Sequence, residues 1–452
     1  HDQLSEPLWR WQELCAALGL PVVAGPDVSG VSIDSRSIRP GELFVALPGD
    51  PGPRFNPSHR SDRDGHDFVD SALAAGAAGV LTHDGMQRAC PELKVADTLD
   101  GLWALGRAAR ARLDCPVVAI TGSSGKTTAK TLLSAALGAF STPGSLNNHL
   151  GVPLSLARTP RDASAAVYEV GTNHPGEIGP LSELVRPTVA VLLNVQQAHR
   201  ANFASMDDLR IEKISIINGL TESSVFVVED QVALPASVAA RCVLLRFGGS
   251  AEADVRLIDM VGDRARLSVR GRVVTGHVPG GGRHRALSLA AVIAVLVALG
   301  RQPEPALSLS TDLVPAGRGN RVDAGGVTII DDSYNANPAS MAGALDTLQQ
   351  EAGRRFALLG EMLELGEAGE AAHRSLAEHC RGLDGVWCVG PGMMSLAEAL
   401  GGSAQYHALP DDGLLESLAN TLRQGDTLLV KGSNRVFWAR DFVARIRSSL
   451  TS

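Results

Sequence analysis

Thr121 to Thr128 read TGSSGKTT, and the reading of this octapeptide decides the architecture of the chain. It follows the apolar run Val117-Val118-Ala119-Ile120 and precedes the helix-like stretch Ala129-Lys130-Thr131-Leu132-Leu133. Strand, glycine turn and helix start together build a phosphate cradle. Gly122 and Gly125 let the backbone turn without a side-chain clash, so consecutive N–H groups around Ser123 and Ser124 can point at a polyphosphate at the positive helix end. Lys126 adds a mobile positive charge, and Thr127 or Thr128 offers a hydroxyl to a magnesium ion. A strict Walker A motif needs a glycine five residues before its second glycine, and that position here is Ile120. The loop is the shorter G-x-x-G-K-T-T, and it predicts a nucleoside triphosphate site.

Outward from this turn, apolar runs alternate with helical patterns. Val117 to Ile120, Ala165 to Val170, Val189 to Leu193 and Val225 to Val228 are short and dense, as strands covered on both faces should be. This alternation predicts a mostly parallel sheet with its ligand beyond the carboxyl ends of the strands, where TGSSGKTT falls. After Pro315 the pattern restarts with strands over Val327 to Ile330, Phe356 to Leu359, Val386 to Val389 and Thr427 to Val430. Before it, a strand-like run at Leu43 to Leu47 and a helix over Asp67 to Ala78 flank a loop, Pro48 to Asp64, rich in Pro, Arg and Asp. At 452 residues the chain exceeds one ordinary core, and the pattern divides it into residues 1–86, 87–313 and 314–452. GPGMMS, Gly390 to Ser395, lacks the third glycine and the later acidic residue of a dinucleotide fingerprint.

Bulk properties exclude several classes. A formal charge of −8 argues against a nucleic-acid binder and leaves small molecules as the expected substrates. Cys15, Cys90, Cys115, Cys242, Cys380 and Cys388 are scattered with no C-x-x-C pair, which predicts buried thiols in a reducing compartment. His1 to Gly19 lacks the basic start and apolar core of a signal peptide, and Ala286 to Leu299 is too short to span a bilayer. A cytoplasmic enzyme without membrane insertion is expected.

Other residues that could carry chemistry are ambiguous one by one. Glu169, at the end of the second inferred strand, is either a solvated strand-end charge or a carboxylate facing the nucleotide. His199 alone says little. Lys213 lies in DDLRIEKISIINGL, whose Leu209, Ile214 and Ile217 share roughly one helical face, and a lone lysine there is ordinarily solvated. Asn335 and Asn337 are either substrate contacts or turn residues.

The short loop is similar to that of the Mur ligases and folylpolyglutamate synthetases, ATP-dependent enzymes that make amide bonds. SLNNHLGVPLSLAR (Ser145 to Arg158), YEVGTNHPGEI (Tyr168 to Ile178), IDDSYNANPASM (Ile330 to Met341), LLGEMLELGEAGEAAHR (Leu358 to Arg374) and LVKGSNR (Leu429 to Arg435) narrow the resemblance to the Mur ligases. IDSRSIRPGELFVALPG (Ile33 to Gly49) and GHDFVDSALAAGAAGVL (Gly65 to Leu81) extend it to the N-terminus. The resemblance implies three α/β domains: a small N-terminal one for a UDP-sugar precursor, a central P-loop ATPase-like sheet, and a Rossmann-like C-terminal one for the incoming amine. It also implies a monomer that adds D-alanyl-D-alanine to UDP-N-acetylmuramoyl-tripeptide with ATP and two magnesium ions.

By the same resemblance, Gly122 to Thr128 hold the ATP phosphates, with Arg318 on phosphate and Asp332 on ribose. Thr127 and Glu169 hold one magnesium; His199 and Lys213, the latter converted by carbon dioxide to a carbamate, hold the second. Ser35, Arg36, Asn147, Asn148, Thr172, Asn173, His174, Asn335 and Asn337 are implied for substrate. The chain departs from the family pattern in places. Ala198-His199 is followed by Arg200-Ala201 rather than Leu-Glu, and Lys213 is followed by Ile214-Ser215 with no glutamate. Arg285 and Ser288 stand where two asparagines are usual, so adenine and ribose contacts must differ, and Pro51 to Arg63 is an insertion. These departures leave open a related ligase acting on another carboxylate and amine, or a nucleotide-binding protein without turnover.

Overall fold

The computed structural model describes residues 6–49, 63–172, 174–196, 203–221, 224–363 and 365–452. The N-terminal sheet is four short parallel strands in the order β1-β2-β3-β4: β1 Val31–Ser32, β2 Leu43–Val45, β3 Gly79–Thr82 and β4 Glu92–Lys94. Helix α1, Trp11–Ala17, comes first in the chain, and α2, Val69–Ala74, realises only part of the helix expected over Asp67 to Ala78. A 3-10 turn, Gly65–Phe68, precedes α2, and Gly76, at φ 102°, follows it in a conformation that α-helix does not allow. β4 carries the sheet past residue 86, because the buried Leu93 belongs to this core.

α3, Thr98–Ala111, leads into an eight-stranded sheet of order β12-β11-β10-β9-β8-β7-β5-β6. Its strands are β5 Val117–Thr121, β6 Ala166–Glu169, β7 Val189–Leu192, β8 Val225–Glu229, β9 Val243–Gly248, β10 Val255–Val261, β11 Arg264–Val269 and β12 Arg272–His277. The four dense runs are β5 to β8, paired in parallel. The last strands alternate buried and exposed positions, so the density that marks β5 is missing from them. Between strands lie α4 Lys126–Leu137, α5 Gly151–Ala157, α6 Ile178–Val185 and α7 Met206–Ile214. Ser205 caps α7 by accepting from the Asp208 N–H, with Asp207 and Asp208 favourably placed in its first turn.

The third sheet has the order β13-β14-β18-β15-β16-β17. β13 Asn320–Ala324 is antiparallel to β14 Val327–Asp332 across Gly325-Gly326; β14, β18 Thr427–Lys431, β15 Arg355–Gly360, β16 Gly385–Val389 and β17 Ala404–His407 are parallel. All four expected strands of this region are present.

The described residues form two compact units, one within 6–260, 265–277 and 286–309, the other within 261–264, 278–285 and 310–452. Within the first unit, the N-terminal sheet and the central sheet share one core, from Trp9 and Leu14 to Ala157 and Tyr168. Buried Trp9 donates through Nε1 to the Ala157 carbonyl at 2.9 Å, with the Arg112 guanidinium 4.0 Å above its ring. Arg158 donates to the Val31 carbonyl at 2.8 Å, and Arg161 pairs with Glu13 at 2.8 Å. Trp9→Ala should cost about 3–5 kcal/mol of stability. Urea denaturation checks this, and a loss below about 1 kcal/mol would show that the seam carries little of the fold.

Candidate active site

β5 lies between β6 and β7, in register with both. Ile120 stands opposite Glu169, so the carboxylate emerges where the chain turns into the glycine loop. Gly125, at φ 82°, caps α4 in the left-handed region, which no side-chain-bearing residue adopts cheaply. A Cβ on Gly122 would stand 3.0 Å from that of Leu193. The Ser123 and Ser124 N–H groups donate to Asn194 Oδ1 at 2.9 and 3.0 Å, and Ser124 Oγ donates to Gln196 Oε1 at 3.0 Å. Asn194, just beyond β7, thus braces the loop from the neighbouring strand.

Two lysines converge on one carbonyl. Lys126 Nζ donates to Gly122 O at 2.9 Å and Lys213 Nζ to the same oxygen at 3.2 Å. Burial pushes the Lys126 ammonium below the usual lysine range, against the opposing pull of Glu169. Burial, and then the nearby charge of Lys126, push Lys213 down to about 8, with Glu212 opposing. Lys213 is therefore no solvated charge; it is 3% exposed. Glu212 in turn accepts from the N–H groups of Gly176, Glu177 and Ile178 at 2.9, 3.1 and 2.9 Å, tying α7 to the start of α6.

Glu169 is equally buried, so it is not a solvated strand-end charge. Thr127 Oγ1 donates toward its two oxygens at 3.2 Å each, Lys130 Nζ pairs with Oε1 at 2.9 Å, and Asn147 Nδ2 donates to Oε2 at 3.3 Å. A hydroxyl and a carboxylate beside a phosphate loop are hard oxygen donors of the kind magnesium takes, the remaining ligands coming from phosphate and water. Among the described residues no group of three or more His, Cys, Asp or Glu side chains gathers to hold a metal without such help. His199 and Asn173 lie outside the described residues.

A cavity of about 560 Å³ is lined by the Ser32–Ser37 segment, Arg63, Phe68, Leu146 and Arg158 among others, and Leu146 links it in sequence to Asn147 of this cluster. Ser35 and Arg36 are therefore on its wall, although Arg36 is held by Asp34 in a two-point ion pair at 3.0 Å. Other candidates have local duties. Asn148 Oδ1 accepts from Leu150 and Gly151 N–H at the start of α5, and Thr172 Oγ1 bonds both the N–H and the carbonyl of His174. His174 stands 3.4 Å from Glu177.

In the second unit, Asp332 pairs with buried Lys431 at 2.9 Å, and Lys431 also donates to the Asn335 carbonyl at 2.9 Å. The Arg318 guanidinium lies 4.3 Å over the Tyr334 ring, which packs in a T-shaped pair with Trp438. Arg285 donates to the carbonyls of Gly280, Gly319 and Arg318, so the residue that departs from the family pattern anchors the loop carrying Arg318. Asn337 is the N-cap of the helix Pro338–Leu348 in a reciprocal box with Ser340; the turn reading holds for it. Asn335 is exposed, its Oδ1 accepting from the Ala336 N–H.

A mostly parallel sheet bearing a short glycine loop, two lysines that converge on a carbonyl of that loop from α4 and α7, and a buried carboxylate facing its threonine defines a nucleotide-dependent enzyme. Comparison with known proteins names the kind. Residues 120–296 match the model of the Mur ligase middle domain, and residues 317–434 that of the Mur ligase, glutamate ligase domain. UDP-N-acetylmuramoyl-tripeptide--D-alanyl-D-alanine ligase of Bacillus subtilis (strain 168) is 31% identical over 432 residues, 90% of each chain. The ligase of the same name from Escherichia coli (strain K12) is 31% identical over 442 residues, 90% of this chain and 92% of its own. Among solved structures, MurF from Acinetobacter baumannii aligns with a TM-score of 0.74 at 28% identity, covering 98% of this chain and 99% of that one. MurF ligase from Thermotoga maritima in complex with ADP aligns at 0.70 and 29%, covering 93% and 97%. The chain belongs to the Mur ligase family, and with it to the ATP-dependent, ADP-forming ligases. Among the described residues no helix is long and apolar enough to cross a membrane.

Proposed function

We propose that this chain joins D-alanyl-D-alanine to UDP-N-acetylmuramoyl-tripeptide in the cytoplasm, through an acyl phosphate, in the assembly of peptidoglycan. One observation supports the reading beyond the family resemblance: the segment Ser145-Leu146-Asn147 touches both the residues beside the phosphate loop and the cavity. Ser145 Oγ is 3.1 Å from Thr127 Oγ1, Leu146 lines the cavity, and Asn147 reaches Glu169. A precursor seated in that cavity would bring its terminal carboxylate toward the phosphate loop.

In this mechanism the precursor carboxylate attacks the γ-phosphorus of ATP, the bond to the ADP oxygen breaks, and an acyl phosphate forms. Lys126 and the loop N–H groups take up the charge on the transferring group. A magnesium ion held by Thr127 and Glu169 would supply further positive charge beside the phosphates. The dipeptide amine then attacks the acyl carbon, loses a proton and expels phosphate to leave the amide. No protein nucleophile is needed, because ATP activates the acyl group. Lys213, buried and more easily deprotonated than an ordinary lysine, is proposed to take up carbon dioxide as a carbamate and, with His199, to hold a second magnesium. Arg318 and Asp332 are proposed as nucleotide contacts, and exposed Asn335 as a contact of the dipeptide.

Phosphate release from ATP, measured with the UDP precursor and D-alanyl-D-alanine added singly and together, tests the assignment. Release is expected only with both. A precursor that neither binds nor turns over would remove the substrate assignment and leave a ligase of another carboxylate.

A further inference from the structure

Lys130 follows Lys126 by one turn of α4, and the sequence marks it only as part of a helix. Its side chain is 3% exposed, and an ammonium is almost never so buried without full compensation. Compensation is complete here: three N–H donors meet the Thr142 carbonyl at 2.6 Å, the Gly144 carbonyl at 2.5 Å and Glu169 Oε1 at 2.9 Å. The carboxylate it pairs with is the one that faces Thr127. The two carbonyls belong to the turn that leads directly into Ser145-Leu146-Asn147, the segment shared by the phosphate loop and the cavity.

We propose that Lys130 is a positioning residue that sets both subsites at once, aiming Glu169 at the phosphate loop and fixing the turn that presents Ser145 to Asn147 to the precursor. The inference rests on the ligase reading above. Lys130 acts through Glu169 and through the turn. Its loss would leave a buried carboxylate without its cation and two carbonyls without donors, so both groups would shift toward other partners.

Lys130→Met, similar in length and without charge, separates this role from simple packing. Affinity for Mn²⁺·ADP, followed by the electron paramagnetic resonance of the metal, and affinity for UDP-N-acetylmuramoyl-tripeptide, followed by calorimetry, are both expected to fall roughly tenfold to a hundredfold in the folded variant. Values of both that stay within about twofold of wild type overturn the proposal, and so does a loss confined to one of them. Hydrogen exchange on the wild-type chain keeps the test open should the variant not fold. Mn²⁺·ADP is expected to slow exchange at the amides of Gly144 to Asn147, and unchanged exchange there overturns the coupling. Wild-type protein that binds no Mn²⁺·ADP at all overturns the ligase reading together with this one.

Discussion

Replacing Lys126 with alanine will lower ATP-dependent phosphate release by roughly 10²- to 10³-fold while leaving the chain folded. The residue begins α4, and its ammonium is within 2.9 Å of the Gly122 carbonyl, inside the turn that would hold the phosphates. Removing it takes away charge where charge accumulates during phosphoryl transfer, and a partly buried site has little solvent to replace it. The substitution has a second effect, because Lys126 is the main charged group holding the Lys213 ammonium down. Lys213 in the Lys126→Ala protein should therefore titrate at higher pH than in wild type, which ¹⁵N-detected titration of labelled lysine would read. An unshifted Lys213 would mean that the two side chains do not share the Gly122 carbonyl in solution.

Loss of Lys213 itself should be comparably severe, with Lys213→Ala reducing turnover by roughly 10²-fold or more. Only a neutral amine reacts with carbon dioxide, and a lysine pushed down to about 8 is half neutral at that pH and largely neutral about one unit above it. The sign follows directly: carbamate formation should rise as pH increases through 8, whereas an ordinary lysine would stay protonated. Wild-type activity should fall in carbon-dioxide-depleted buffer and return with bicarbonate, and ¹³C-bicarbonate should give a carbamate resonance that grows from pH 7 to pH 9 (about one unit either side of the midpoint). Lys213→Ala activity near the wild-type level, with or without bicarbonate, would end the carbamate role.

The octapeptide, the dense strands β5 to β8 and the restart after Pro315 were legible because each is local: a short run, a glycine turn, a helical period. The extension from β9 to β12 was not, since half-exposed strands lack the apolar density that marks β5. Glu169 and Lys213 could be named from the family pattern, yet their burial is a property of the packed sheet. Lys130, Asn194 and Lys431 escaped for a related reason. Their partners lie far along the chain, at Glu169, Ser123 and Asp332, and nothing in their own neighbourhoods signals the contact. Asn337 was different, because Asn-Pro followed by Ser340 is a helix-start signal that favours the cap.

The seam made by Trp9, Arg158 and Arg161 has a kinetic meaning as well as a structural one. Because it joins the cavity wall to the sheet that carries the phosphate loop, acceptor carboxylate and donor phosphate would be delivered to surfaces already fixed against each other. On the proposed reading, the freedom that two hinged lobes would surrender at every turnover would be surrendered once, when the chain folds, and the first chemical step would begin as a reaction between neighbours.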